Sequence, residues 1–194
     1  MAAPRIGTQL TGGQLSEQDQ NVLLSVARLA LTEYLTGGRI PSHNTDSSVL
    51  LEPRGAFVSL HRRDSGALRG CLGDLLLRRP LIESVAQMAV AAATRDPRFP
   101  AVTVEELPEL QIEISALTPL YAIRPEQIQV GVHGLMIVKG ESKGLLLPHV
   151  PLAHGWHRED FLANLCLKAG LETDAWRSGT VELLAFKTEL WKED

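Results

Sequence analysis

Apolar residues fall into helical and strand rhythms along most of the chain. Val22, Leu23, Val26, Leu29, Ala30 and Tyr34 recur at helical spacing behind Ser16-Glu-Gln-Asp, a near capping box with Asp in the Glu or Gln place. Gly37 and Gly38 end that helix. Gly55–Leu60 reads as a strand, Arg63–Gly66 as a hairpin turn, and Leu68–Leu72 as the returning strand. Pro80 suits a first helical position, and Leu81, Ile82, Val85, Ala89, Ala92 and Ala93 form the buried stripe of a second helix that Asp96-Pro97 stops. Glu105–Glu109, with Pro108, reads as a short turn. Gln111–Ser115 alternates as a strand. Gly134–Val138 and Leu145–Leu147 flank a second hairpin turn at Lys139–Gly144. Phe161, Leu162, Leu165, Cys166 and Ala169 share one face of a helix over Arg158–Lys168, with Gly170 as its C′ residue, and Thr180–Leu190 reads as a closing strand. Hairpins and helices alternate without regular βαβ spacing, so the predicted class is α+β with mainly antiparallel sheet.

The connections add two expectations. Residues 1–14 are small and polar and read as a flexible N-terminus, leaving 15–194 as one domain. Its subdomains divide at the Pro-rich turns around 119–125, and the C-terminal strand is free to return to the first. Arg39–Pro53 is a long aperiodic loop of the length that often carries function.

Composition narrows the class. The 194 residues carry 19 Lys+Arg and 23 Asp+Glu, a net charge of −4, which argues against a nucleic-acid binder driven by bulk phosphate attraction. Six arginines between 54 and 79 (Arg54, Arg62, Arg63, Arg69, Arg78 and Arg79) keep RNA as a weaker alternative. Cys71 and Cys166 are the two cysteines, with no CxxC pair, and fit a reducing cytosol. No signal-peptide pattern opens the sequence, and no apolar run approaches the ~20 residues that span a bilayer. A soluble cytoplasmic protein is expected.

The strongest local chemistry lies in Leu68-Arg-Gly-Cys-Leu-Gly73, where glycines bracket a cysteine at a strand end. Cys71 is a candidate nucleophile or ligand contact, and Arg69 a candidate to raise its thiolate fraction. Against this, a free cysteine is often a small buried packing residue. Arg95 and Arg98 straddle Asp96-Pro97 and could form a fork for an anion, or simply tie down a helix end. His133 is a candidate acid or base, or a turn residue. His149, His154 and His157 cluster without a further ligand at a fixed offset, which favours a polar loop over a metal site. No nucleotide, zinc-protease or hydrolase motif occurs, and no cofactor is called for.

LRGCLG at 68–73, RDPRF at 95–99, VGVHGLMI at 130–137, GLLLPHV at 144–150, and GW…REDFL…CLKAGL through 155–171, with Trp176 beyond, together resemble the AMMECR-type domain family, named for the AMME chromosomal region. The resemblance implies two α/β subdomains packed about a cleft. It implies that the LRGCIG-type segment, here Leu68, Arg69, Gly70, Cys71, Leu72 and Gly73, is the functional element. In prokaryotes the family is often encoded beside a Memo-like protein related to extradiol dioxygenases and beside a radical-SAM protein. That context implies a part in an enzyme system that modifies a biomolecule, and the alternative is a non-catalytic adaptor. Leu72 replaces the family's usual Ile, and His149 its usual Gln. His154 and His157 also depart from the pattern, which further weakens a metal reading.

Overall fold

The computed structural model describes residues 14–74 and 78–194. The N-terminus expected to be flexible, 1–14, lies outside them except for Gln14. The helices are α1 (Glu17–Gly37), α2 (Leu81–Thr94), α3 (His149–His154) and α4 (Arg158–Lys168). The strands are β1 (Ala56–Arg62), β2 (Leu68–Asp74), β3 (Leu110–Leu117), β4 (Tyr121–Ala122), β5 (Gly134–Lys139), β6 (Ser142–Leu146), β7 (Glu182–Phe186) and β8 (Thr188–Lys192). They form two sheets, in the orders β2-β1-β3-β8 and β4-β7-β5-β6, so the chain is α+β. It separates into two compact units. Among the described residues, one comprises 14–117 and 189–194, and the other 118–188.

The first unit is built around the sheet β2-β1-β3-β8. Ser16 caps α1 by accepting the Asp19 N–H, while the Asp19 carboxylate accepts the Ser16 N–H, so the box closes with aspartate. Gly38, at φ 72°, ends the helix in the left-handed conformation that glycine adopts without strain. The buried face of α1 is Leu23, Val26, Ala27, Ala30 and Leu31. Leu29, expected in that stripe, faces solvent instead, because the stripe follows 3.6-residue spacing from Leu23 through Ala27 and Ala30. Ten of the fourteen residues of α2 are buried, and its alanines allow close approach to the sheet. Val58 and Leu60 of β1 and Ile112 and Ile114 of β3 supply the facing core.

The loop before β1 has a definite structural task. Its Glu52 and Leu50 carbonyls accept the Leu81 and Ile82 N–H groups, two donors that the first turn of α2 cannot satisfy internally. Pro80 is the N-cap of that helix, one position ahead of expectation. Thr103 and Glu106 cap a 3-10 helix at Val104–Glu109, where a short turn was expected.

The second unit packs α4 on the sheet β4-β7-β5-β6. Phe161, Leu162, Leu165 and Cys166 meet Leu135, Ile137 and Ala185 in its core. Gly144 lets α4 approach β6, since a Cβ there would lie 2.7 Å from the Ala169 nitrogen. The expected single strand over Thr180–Leu190 is two strands in two sheets, interrupted at Lys187. There the backbone pairs with Thr118 instead: the Thr118 N–H donates to the Lys187 carbonyl at 2.8 Å, and the Lys187 N–H donates to Thr118 Oγ1 at 2.8 Å.

Candidate functional site

The Leu68–Gly73 segment is strand β2, at the edge of the first unit's sheet. An edge strand exposes unpaired backbone groups unless something covers them. Asp96, just past α2, does so: its Oδ2 accepts the Cys71 N–H at 2.8 Å. Because that N–H points away from β1, Cys71 and its partner Ser59 form a pair without backbone hydrogen bonds, in which side chains stand closest. Ser59 Oγ donates to Cys71 Sγ at 3.2 Å. Cys71 is half-buried, whereas Cys166 lies in the second unit's core, where burial pushes its thiol up.

The Asp96 carboxylate is itself clamped. It accepts from Arg98 Nε at 2.9 Å, Nη2 at 2.7 Å and the backbone N–H at 3.1 Å. Arg98 Nη2 also approaches the Cys71 carbonyl at 3.5 Å, while the Arg95 side chain is exposed. The Arg98 hydrogen bonds are the main reason that Asp96 is held well below the usual carboxylate range, against the opposing effect of burial.

The two glycines serve close packing. A Cβ on Gly70 would lie 2.2 Å from the Ala92 carbonyl oxygen of α2, and one on Gly73 would lie 2.1 Å from the Phe57 ring. Leu72 packs against the core, and Leu68 is partly exposed. The β1–β2 register shifts between Leu60 and His61, so Leu60 faces Gly70 while His61 faces Leu68. Arg69 is the extra residue of that bulge. Its guanidinium donates to both oxygens of Glu106, at 2.9 and 3.0 Å, and to the Pro100 carbonyl at 2.9 Å. Glu106 is held below the usual carboxylate range chiefly by this contact.

His133 belongs to the second unit. Its Nδ1 accepts the Gln129 N–H at 3.1 Å, which places the proton of a neutral ring on Nε2. Its ring meets Tyr121 edge-on at 6.3 Å between centroids. Burial, with Lys187 as a lesser cause, keeps its pKa below the ordinary histidine value. Cys71, Asp96 and Arg98 are thus drawn together in the first unit, and His133 stands in the other. His154 stacks on Trp156, and His157 is the N-cap of α4. Among the described residues no group of three or more His, Cys, Asp or Glu is placed to hold a metal ion. No helix among them is long and apolar enough to cross a membrane.

The carboxylates give the fold a definite acid response. Asp96 and Glu106 have folded pKa values below their unfolded ones of about 3.9 and 4.3. Their stabilisation is therefore present above those unfolded values and is lost as pH falls toward the folded ones. Melting temperature should fall steadily below about pH 4.5. Asp96→Asn should flatten that slope in thermal melts taken between neutral and acid pH. A slope unchanged by the substitution would mean that the Asp96–Arg98 clamp adds nothing to stability.

Two antiparallel-sheet units, one carrying a glycine-flanked thiol on a clamped sheet edge, define the class of protein: a small α+β module built around a cysteine-bearing edge strand. The AMMECR1 family model matches residues 24–191, and the chain belongs to that family. A protein of Thermococcus gammatolerans is 43% identical over 183 residues, covering 89% of each chain. Protein MJ0810 of Methanocaldococcus jannaschii is 39% identical over 186 residues, covering 92% of each. The crystal structure of the uncharacterized protein PH0010 from Pyrococcus horikoshii is similar with a TM-score of 0.66 and 40% identity, covering 89% of this chain and 90% of that one.

Proposed function

We propose that this chain is the thiol-bearing component of a cytoplasmic enzyme system that modifies a biomolecule, acting with Memo-like and radical-SAM partners. Cys71 is its nucleophile, and the Leu68–Gly73 segment is where substrate is held. The observation that carries this reading is the treatment of Cys71: its backbone is pinned by Asp96 and Arg98 while the residue is only half-buried and its sulfur is hydrogen-bonded to Ser59. Arg98 is the nearby cation that would meet an anionic substrate group.

Iodoacetamide should label Cys71 in the folded chain well before Cys166. Cys71→Ser should melt like the parent yet lose activity in a system reconstituted with both partner classes. Labelling of Cys71 as slow as that of Cys166, or full activity in Cys71→Ser, would remove the nucleophile.

One group of observations favours the adaptor instead. Gly70, Gly73 and Arg69 are all consumed by packing and scaffolding, so the segment also supplies shape. In that reading Cys71→Ala binds the partners normally. RNA is the weakest choice, because Arg54, Arg62, Arg63 and Arg69 each face a carboxylate of the fold.

A further inference from the structure

We propose that the second unit carries a binding site for a phosphate group, formed where Tyr121, His133 and Lys187 come together at one end of its sheet. The site is independent of Cys71 and gives His133 a task other than acid or base. β5 and β7 pair with Leu135 opposite Ala185 and Gly134 opposite Phe186, and His133 and Lys187 stand one step beyond that last pair. On the other side of β7, Tyr121 of β4 lies opposite Ala185. Residues two apart on an extended chain share a face, so Tyr121 is one row away from Lys187. The edge-on contact of the Tyr121 and His133 rings, 6.3 Å between centroids, joins the group across the strand. The Lys187 backbone is fixed by Thr118, which bonds both its N–H and its carbonyl.

His133 is 8% exposed and is held at two points. Its backbone N–H donates to the Gln129 carbonyl at 3.0 Å, and its Nδ1 accepts the Gln129 N–H at 3.1 Å. Burial and Lys187 both favour the neutral ring, whose proton is then on Nε2. Among the described residues that Nε2–H has no partner, and it is not one of the unpaired polar atoms sealed from solvent. Native folds pair the polar groups they bury, so a nearly buried ring locked with its N–H open is placed to meet an acceptor. The Tyr121 hydroxyl, on a ring 41% exposed, is a second donor, and the exposed Lys187 ammonium a third. Among the described residues Lys187 is the charge that acts on the ring, and no carboxylate does. Three donors with one cation and no acid select an anion. A carboxylate is matched best by the planar fork of an arginine, whereas separate donors around the point charge of a lysine suit the tetrahedral oxygens of phosphate.

The test is a titration of the full-length, uniformly nitrogen-15-labelled chain with inorganic phosphate at constant pH and ionic strength, read by NMR at the histidine ring nitrogens. His133 should show the Nε2–H tautomer and a shift that saturates in the millimolar range, while the other five histidines move little. Lys187→Met and Tyr121→Phe should each raise the dissociation constant about tenfold, the loss expected of one hydrogen bond to an anion. Both variants should melt like the parent, because neither side chain makes a hydrogen bond or ion pair elsewhere among the described residues. Glycerol 3-phosphate and acetate complete the series. Tighter binding of glycerol 3-phosphate than of inorganic phosphate identifies the ligand as a phosphate ester, and the reverse order identifies free phosphate. Acetate that binds as tightly as phosphate would overturn the choice of phosphate. No saturable shift at His133, a shift shared by all six histidines, or one that Lys187→Met leaves unchanged would overturn the site. None of these results bears on the nucleophile, which is read separately by labelling of Cys71.

Discussion

Gly70→Ala is expected to lower the melting temperature of the chain by about 4–10 °C. The added Cβ would lie 2.2 Å from the Ala92 carbonyl oxygen and 3.1 Å from its carbon. Those atoms are backbone in the last turn of α2, where Ala91, Ala92 and Ala93 are all buried, so no flexible side chain can swing away. Relief requires moving α2 off the sheet or bending β2 at its bulge. Overpacking of this kind costs about 3 kcal/mol, more than the 0.4–1 kcal/mol or so that alanine returns by restricting the unfolded chain. Gly37→Ala is the internal control, because a Cβ there meets nothing within 4 Å. It should melt at or slightly above the parent temperature. Equal melting temperatures for the two variants would show that α2 and β2 do not approach as closely as described.

Arg69→Met should cost about 2–4 kcal/mol, measured by denaturant unfolding. It leaves the Glu106 carboxylate, 19% exposed, without its bidentate partner, and the Pro100 carbonyl without a donor. Arg62 and the Thr103 N–H still reach Glu106, which keeps the loss below that of a fully isolated buried charge. Arg69→Lys recovers only part, since an ammonium cannot donate in parallel to both oxygens while also reaching the loop carbonyl. The same variant separates scaffolding from chemistry. A stable Arg69→Met protein whose Cys71 labels slowly would return Arg69 to the role of thiol activator.

Much of the fold could be read before any coordinate. The stripes of α2 and α4 and the two hairpins followed from spacing, because each element is amphipathic and bounded by Gly, Pro or Asp. What escaped were features decided between elements. The division of the last segment into β7 and β8 depends on Thr118, some seventy residues earlier in the chain. Arg54, one of the six arginines that kept RNA as an alternative, is 1% exposed and faces Glu52 and Glu189. That placement depends on a strand from the far end of the chain. At the site, Cys71 and Arg98 were legible as residue types, but their grouping was not. Ser59 carried a usable signal: counting back across the Arg63–Gly66 turn places it nearly opposite Cys71. The bulge at Arg69 then sets the final register, and a bulge has no fixed mark in a single sequence.

Strand β8 also has a consequence for the order in which the molecule can form. It is the last strand of a sheet whose other three members end at Leu117, and the whole second unit is synthesised between them. Until residues 189–193 leave the ribosome, Arg54 lacks Glu189, Arg28 and Arg63 lack Glu193, and β3 has an open edge. The N-terminal portion of the chain therefore cannot complete its folding as it emerges. The unit made first is finished last, by closing a loop of about seventy residues, and that closure couples the two units' folding in time.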